Sequence, residues 1–190
     1  MKHPAQYLAL LALVMTASPL AHSTEWTLIP EESRLIFRPT WEGVAFEGEF
    51  RRFHANLDFD SQALESARIN VSVDVTSADA GGDDLNEGMA LPEWFDFARY
   101  PQAVYRAEQI RATADGYVAN GTLELKGTVR DLSLPFTWER SGDEGRFEAR
   151  LTLNRTDWGI GSGEWAGDDG IGLAVELDVQ ATFRRRTVPE

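Results

Sequence analysis

The chain has 190 residues, 43% hydrophobic and 11% aromatic, with a formal charge of −13 at neutral pH. That much apolar material builds a folded core, which excludes a disordered chain, and the length suits one domain better than two. The negative balance disfavours nucleic acid and anionic lipid heads as partners, and the absence of cysteine excludes thiol catalysis, disulfide exchange and thiolate metal sites.

At the amino end Lys2 precedes an apolar run over residues 7–15, and Ser18-Pro19 and Ala21-His22-Ser23 bring small residues to a cleavage point. This is the pattern of a secretory signal peptide over 1–23, with cleavage expected near Ser23, a periplasmic or secreted destination and a mature domain over 24–190. The run is well short of the roughly 20 residues that span a bilayer. Removing Lys2 and no acid leaves a mature charge of about −14.

The mature chain then reads as a succession of strands. Trp26 to Ile29 form a first arm and Arg34 to Phe37 a short strand. Between Ala45 and Asp60 the apolar side chains fall first on Phe46 and Phe50, then on Phe53, Leu57 and Phe59. Side chains alternate with period two, so the phase slips by one residue, and a β-bulge at Arg51-Arg52 would absorb the slip and bend the strand. Residues 68–77 alternate cleanly, with Ile69, Val71, Val73 and Val75 on one face.

The stretch over 84–105, DLNEGMALPEWFDFARYPQAVY, breaks the alternation. Asp84 with Glu87 has the form of a capping box, Pro92 with Glu93 predicts the first turn of a second short helix, and Tyr100 before Pro101 ends it. Trp94, Phe95 and Phe97 are too many large apolar groups for a solvated connection, so the insert presses against or hangs over a hydrophobic interior.

Strand character resumes at Ala103, Tyr105 and Ala107. Asp115-Gly116 and Lys126-Gly127 are hairpin signals, and residues 141–145 form a polar loop. Residues 171–183 predict the longest strand, with seven apolar side chains on successive odd positions. About eight strands centred near 35, 50, 70, 106, 121, 134, 149 and 177 are joined by short turns, which implies antiparallel neighbours. Each has one apolar face, which leaves a sandwich or a closed barrel, and strand length with the inferred bulge favours the barrel.

The chemistry is sparse. His54, the mature chain's one histidine, points outward beside Phe53, and no G-x-S-x-G elbow supports a triad. Asp83-Asp84 with Glu87, and Asp168-Asp169 near Glu164, lack the EF-hand spacing and read as solvated loop or cap residues. Trp41, Trp94, Phe95, Phe97, Trp158 and Trp165 all lie near connections, which form the rims of a barrel. These rings either cork a filled core or guard a hollow one, and the residues alone leave both open.

An ordered set of segments resembles the YceI-like family over essentially the whole mature length. It comprises Ser33-Arg34-Leu35-Ile36-Phe37, Phe46-Glu47-Gly48-Glu49-Phe50, Leu57-Asp58-Phe59-Asp60, Val71 to Ser77, Trp94-Phe95-Asp96 with Tyr100-Pro101, Gly121-Thr122-Leu123-Glu124-Leu125-Lys126-Gly127 and Asp157-Trp158-Gly159-Ile160-Gly161. The resemblance implies an all-β, eight-stranded antiparallel lipocalin-like barrel with the helical insert between its third and fourth main strands. Its lumen would hold a long polyisoprenoid, either an isoprenoid quinone or a polyprenyl phosphate.

Where that family carries basic residues in the insert, this chain has Asp84-Leu85-Asn86-Glu87-Gly88-Met89, which points to an uncharged head such as a quinone. Trp94 before Phe95 suggests the branch found beside membrane b-type cytochromes, so such a cytochrome is an expected partner, and a homodimer stays open. The expected activity is non-enzymatic lipid carriage without cofactor or metal; the rival is a lipid- or quinone-modifying enzyme using the loop carboxylates or Tyr105. Expected lining residues are Phe37, Phe46, Phe50, Ile69, Val71, Val73, Phe95, Phe97, Tyr105, Leu123, Phe136, Leu151, Val175 and Leu177.

Overall fold

The structure is a computed structural model and describes residues 24–186. The expected signal peptide lies outside the described residues. In chain order the elements are β1 (Glu25–Arg38), β2 (Thr40–Trp41), β3 (Val44–Ala45), β4 (Gly48–Phe50), β5 (Phe53–Asp58), β6 (Arg68–Asp74), β7 (Ala78–Asp79), α1 (Asp83–Ala90), β8 (Gln102–Thr113), β9 (Gly116–Leu125), β10 (Thr128–Ser141), β11 (Glu144–Asn154) and β12 (Ala174–Arg185). Short 3-10 turns intervene at Leu64–Ser66, Val75–Ser77, Arg155–Trp158 and Gly163–Trp165.

Eight strands run antiparallel in the order β1, β5, β6, β8, β9, β10, β11, β12, and β12 pairs back onto β1 from Trp26↔Arg185 to Arg38↔Glu176. The sheet is therefore a closed barrel with no free edge among these strands. The expected phase slip at Arg51-Arg52 is a break between β4 and β5. Phe50 pairs with Ala78 and Phe53 with Val73, so two residues on one side oppose the Val75–Ser77 turn on the other. The ladder is tied across the break by Arg52 N–H donating to Ser77 Oγ at 2.9 Å and by Asp74 N–H donating to Arg52 O at 3.0 Å.

Three expectations are corrected. The helix starts at Asp83 with Gly82 as its extended N-cap, and no side chain caps it; Asp83 and Asp84 occupy its first turn, where their charge faces the positive end of the helix. In place of the Asp84–Glu87 box, Asn86 accepts from Ala80 N–H at 2.7 Å and donates to Asp79 at 3.0 Å. No second helix forms at Pro92. Tight turns fill that segment, because Asp96 takes a left-handed φ of 51° and Arg99 and Tyr100 N–H both donate back to its carbonyl at 2.9 Å. The last strand begins at Ala174, since Ile171 is drawn instead into an isolated bridge with Trp41 and Gly172 N–H donates to Thr40 O.

The interior divides along the barrel axis. Around the β8–β9 and β10–β11 turns it is solid: Trp26, Phe59, Tyr117, Phe136, Trp138, Phe147 and Phe183 form one aromatic cluster, with Phe136 stacked on Phe147 at 4.7 Å and Trp26 edge-on to Trp138 at 4.9 Å. Trp26 Nε1 donates to Phe59 O at 2.9 Å, so the buried indole N–H is satisfied. The other end is capped by α1 and the loops around it.

Candidate functional site: an apolar cavity under the mouth

The end of the barrel beneath α1 encloses a cavity of about 420 Å³. Its walls are Leu35 and Phe37 from β1, Phe50 from β4, Val73 from β6, Ala103 from β8, Leu123 and Leu125 from β9, Leu153 from β11, and Val175 and Leu177 from β12. Where a strand contributes two residues, as β1, β9 and β12 do, they alternate as the pleat requires. The roof is made by Phe46, Leu85, Met89, Trp94, Phe95, Trp158, Ile160, Trp165 and Ile171, and Trp41 closes one side. Only Asp84 and Arg155 bring charged side chains to the lining.

Eight of the residues expected from the sequence line this space: Phe37, Phe46, Phe50, Val73, Phe95, Leu123, Val175 and Leu177. Ile69, Val71, Tyr105, Phe136 and Leu151 lie elsewhere, in the solid half or packed against it. Phe97 packs behind Phe95, with ring centroids 6.0 Å apart. The Tyr105 hydroxyl donates to Ala119 O at 2.8 Å, and burial pushes its pKa up, so it is a buried neutral phenol away from the cavity. The six rim rings therefore sit over a hollow end, whereas the opposite end is filled by other aromatic residues.

Arg155 is the residue that sequence reading missed. It is 5% exposed and has no carboxylate partner among the described residues. Its five N–H groups donate to backbone carbonyls: Nε to Gly172 (3.1 Å), Nη1 to Ile160 (2.8 Å) and Gly161 (3.3 Å), and Nη2 to Gly167 (2.7 Å) and Ile171 (2.9 Å). The guanidinium is thus saturated and gathers the 159–172 loop around itself. Desolvation lowers its pKa from the usual arginine value. Gly161 must lack a side chain, because its φ is 75° and a Cβ would collide with that guanidinium.

Two loops meet over the cavity. Gly161 and Ser162 N–H both donate to Glu93 O, at 2.8 and 2.9 Å, and the Trp94 and Trp165 rings lie 5.7 Å apart. Lys126 Nζ bridges them from a third side, donating to Pro92 O and Gly159 O at 2.8 Å each. Its reach follows from the β9–β10 turn, where Lys126 and Gly127 take φ of 48° and 71°, the left-handed pair expected of a two-residue hairpin.

The segments over this end, residues 39–47, 79–101, 126–127 and 155–173, hold twelve carboxylates and three cations, a balance of −9 against −13 for the whole chain. Glu42, Asp83, Asp84, Glu87, Glu93, Asp157, Glu164, Asp168 and Asp169 are exposed and make no ion pair among the described residues. The three cations are engaged, Arg155 and Lys126 by carbonyls and Arg99 by Asp96 at 3.8 Å, and arginines of the adjoining strands reach in, Arg38 to Glu47, Arg51 to Asp79 and Arg130 to Asp157 O. Among the described residues no three of His, Cys, Asp or Glu converge as metal ligands, and His54 is exposed on the outer face opposite Ser72.

A closed eight-stranded barrel with a helical roof over one hollow end agrees with the family comparison, in which the YceI-like domain matches residues 26–183. The chain belongs to the YceI-like family. A UPF0312 protein of Yersinia enterocolitica is 23% identical over 119 residues, which cover 60% of this chain and 62% of that relative. One from Photorhabdus laumondii is 25% identical over 125 residues, 65% of each chain. The chain thus spans under two thirds of the length of these curated relatives. Among solved structures, Burkholderia cenocepacia BcnA superimposes with a TM-score of 0.78 at 27% identity, covering 82% of this chain and 98% of that one. A polyisoprenoid binding domain from Saccharophagus degradans, implicated in plant cell wall breakdown, gives 0.63 at 17% identity, covering 85% and 98%. That likeness extends the YceI-like assignment at the level of fold.

Proposed function

We propose that this YceI-like protein binds an isoprenoid lipid without chemical turnover, with the tail in the cavity and the head at the mouth. The observation that carries this reading is the hollow half of the barrel, walled by apolar residues of seven strands and roofed by aromatic rings. Apolar surface removed from water there contributes about 25 cal/mol per Å², so a tail binds without strong polar contacts. The Saccharophagus neighbour, a polyisoprenoid binding domain of the same fold, supports the ligand class. Tyr105, the phenol that an enzyme would use, faces away from the cavity, which favours carriage over turnover.

The head we propose is uncharged, such as a quinone. Asp84 stands at the mouth, the nine unpaired carboxylates repel a phosphate, and Arg155 has no N–H left to offer one. The setting we propose is periplasmic or secreted, resting on the leader pattern ahead of Ser23, and a membrane b-type cytochrome is the proposed user of the quinone, resting on Trp94 before Phe95. Solvent extraction of the freshly purified protein followed by mass spectrometry is expected to release an isoprenoid quinone. A competition between matched quinone and polyprenyl phosphate is expected to favour the quinone, and tight, salt-sensitive retention of the phosphate overturns that choice of head.

A further inference from the structure

We infer that the open end of the barrel is a docking face for a basic protein surface, onto which the cavity empties. The inference rests on the binding reading for its purpose, whereas the contact itself stands on charge and exposure. Large apolar side chains are exposed at the tips around the mouth: Val44 is 71% exposed and Trp41 43% exposed on the β2–β3 hairpin, and Leu91 is 52% exposed at the end of α1. Trp41 also lines the cavity, so the exposed patch is continuous with the binding space. Nine carboxylates that make no ion pair among the described residues surround these tips; the cations of these segments are engaged, and from the adjoining strands Arg38 and Arg51 pair with Glu47 and Asp79 while Arg130 donates to Asp157 O.

Apolar tips inside an acidic ring have the arrangement of a protein interface, in which a desolvated centre supplies affinity and rim charges steer the encounter and select the partner. The complementary surface is rich in Lys and Arg around an apolar centre. An anionic bilayer is disfavoured, because its negative surface potential meets the most negative part of the molecule. Turns at the opposite end lack this character: Asp143 and Glu144 pair with Arg185 and Arg184, and Glu25 with Arg186.

The test uses the mature protein, a synthetic amphipathic lysine–leucine peptide as probe, and titration calorimetry at several salt concentrations. Reversing two mouth charges, Glu42→Lys with Asp168→Lys, is expected to weaken binding about tenfold and flatten its salt dependence, and Val44→Ser with Leu91→Ser is expected to weaken it about fivefold. The same number of reversals at the far turns, Asp115→Lys with Asp143→Lys, is expected to leave binding within about twofold. Equal weakening by the mouth reversals and the far-turn reversals, or binding to phosphatidylglycerol vesicles that survives the same salt, overturns the proposal, the second result making the mouth a membrane face. Uptake of a fluorescent apolar probe is followed in every variant. In the unsubstituted protein, probe uptake without peptide docking refutes only the docking face, and docking without uptake refutes only the binding reading.

Discussion

The guanidinium of Arg155 lies 5.3 Å from the ring centroid of Trp94, so the cation that gathers one roof loop also stacks on the aromatic anchor of the other. Replacing Arg155 by Lys keeps the charge but leaves most of the five carbonyls without their donor, and is expected to destabilise the fold by about 1–3 kcal/mol. Gly161→Ala should act in the same direction by displacing the guanidinium. Thermal denaturation gives the loss, and limited proteolysis should show new cleavage confined to 159–172; a variant as stable and as resistant as the parent would refute the clasp.

The solid and hollow halves predict opposite outcomes for substitutions of comparable size. Phe59→Ala removes a ring that is 1% exposed and is expected to cost about 3–5 kcal/mol while probe uptake persists at temperatures where the protein is folded. Val175→Trp projects into the hollow half and is expected to reduce uptake about tenfold or more with little loss of stability. Denaturant titration and displacement of an apolar fluorophore separate the two effects.

Lys126 holds the roof loops together through two carbonyls, and burial lowers its pKa from the usual lysine value. Lys126→Met keeps the stem and removes the donor. The expected result is faster ligand exchange, by about fivefold if one kcal/mol of roof stability is lost, with the equilibrium occupancy changed less. Stopped-flow release of a preloaded fluorophore measures it, and an unchanged rate would show that ligand passes by another route.

Acid should destabilise the fold. Hydrogen bonding from Arg150 lowers the pKa of Asp178 on the outer face of β12, Thr76 lowers that of Asp74, and Asn86 lowers that of Asp79. Groups whose folded pKa is depressed contribute stability above the unfolded carboxylate value, about 3.9, and that stability is lost as the pH falls from there through the folded values. Asp58 runs the other way: burial, then Glu25, raises its pKa, so its contribution is present at low pH and is lost as the pH rises through its folded value. Asp178→Asn is therefore expected to be less stable at neutral pH and to show a shallower loss below about pH 4, whereas Asp58→Asn should gain stability at neutral pH. Unfolding curves taken across pH 2–8, an experimental range of roughly six units, test both signs.

The strands were legible because each carries a clean two-residue period, and even the awkward slip between Phe50 and Phe53 marked the real break at Arg51-Arg52. Turn chemistry was equally readable at Lys126-Gly127. What periodicity cannot convey is depth along the barrel. Tyr105 and Leu123 pair across β8 and β9 and share one inward face, yet Leu123 lines the cavity while the Tyr105 hydroxyl reaches Ala119 in the solid half. The roof was least legible, because its geometry comes from backbone carbonyls converging on Arg155, a long-range pattern with no signature in local sequence. The nearest signal was the spacing of glycines at 159, 161, 163, 167, 170 and 172 after a lone arginine.

The aromatic plug around Phe59 and Phe136 has a metrical consequence. Because the lumen ends on an unyielding floor, a tail enters only to a set depth, and the barrel becomes a ruler for chain length. The cavity, about 420 Å³, accommodates only a limited length of tail. Along a homologous series of prenyl tails, affinity should climb to that length and then level off, with every further unit left among Trp41, Trp94 and Trp165 at the surface, within reach of whatever takes the lipid next.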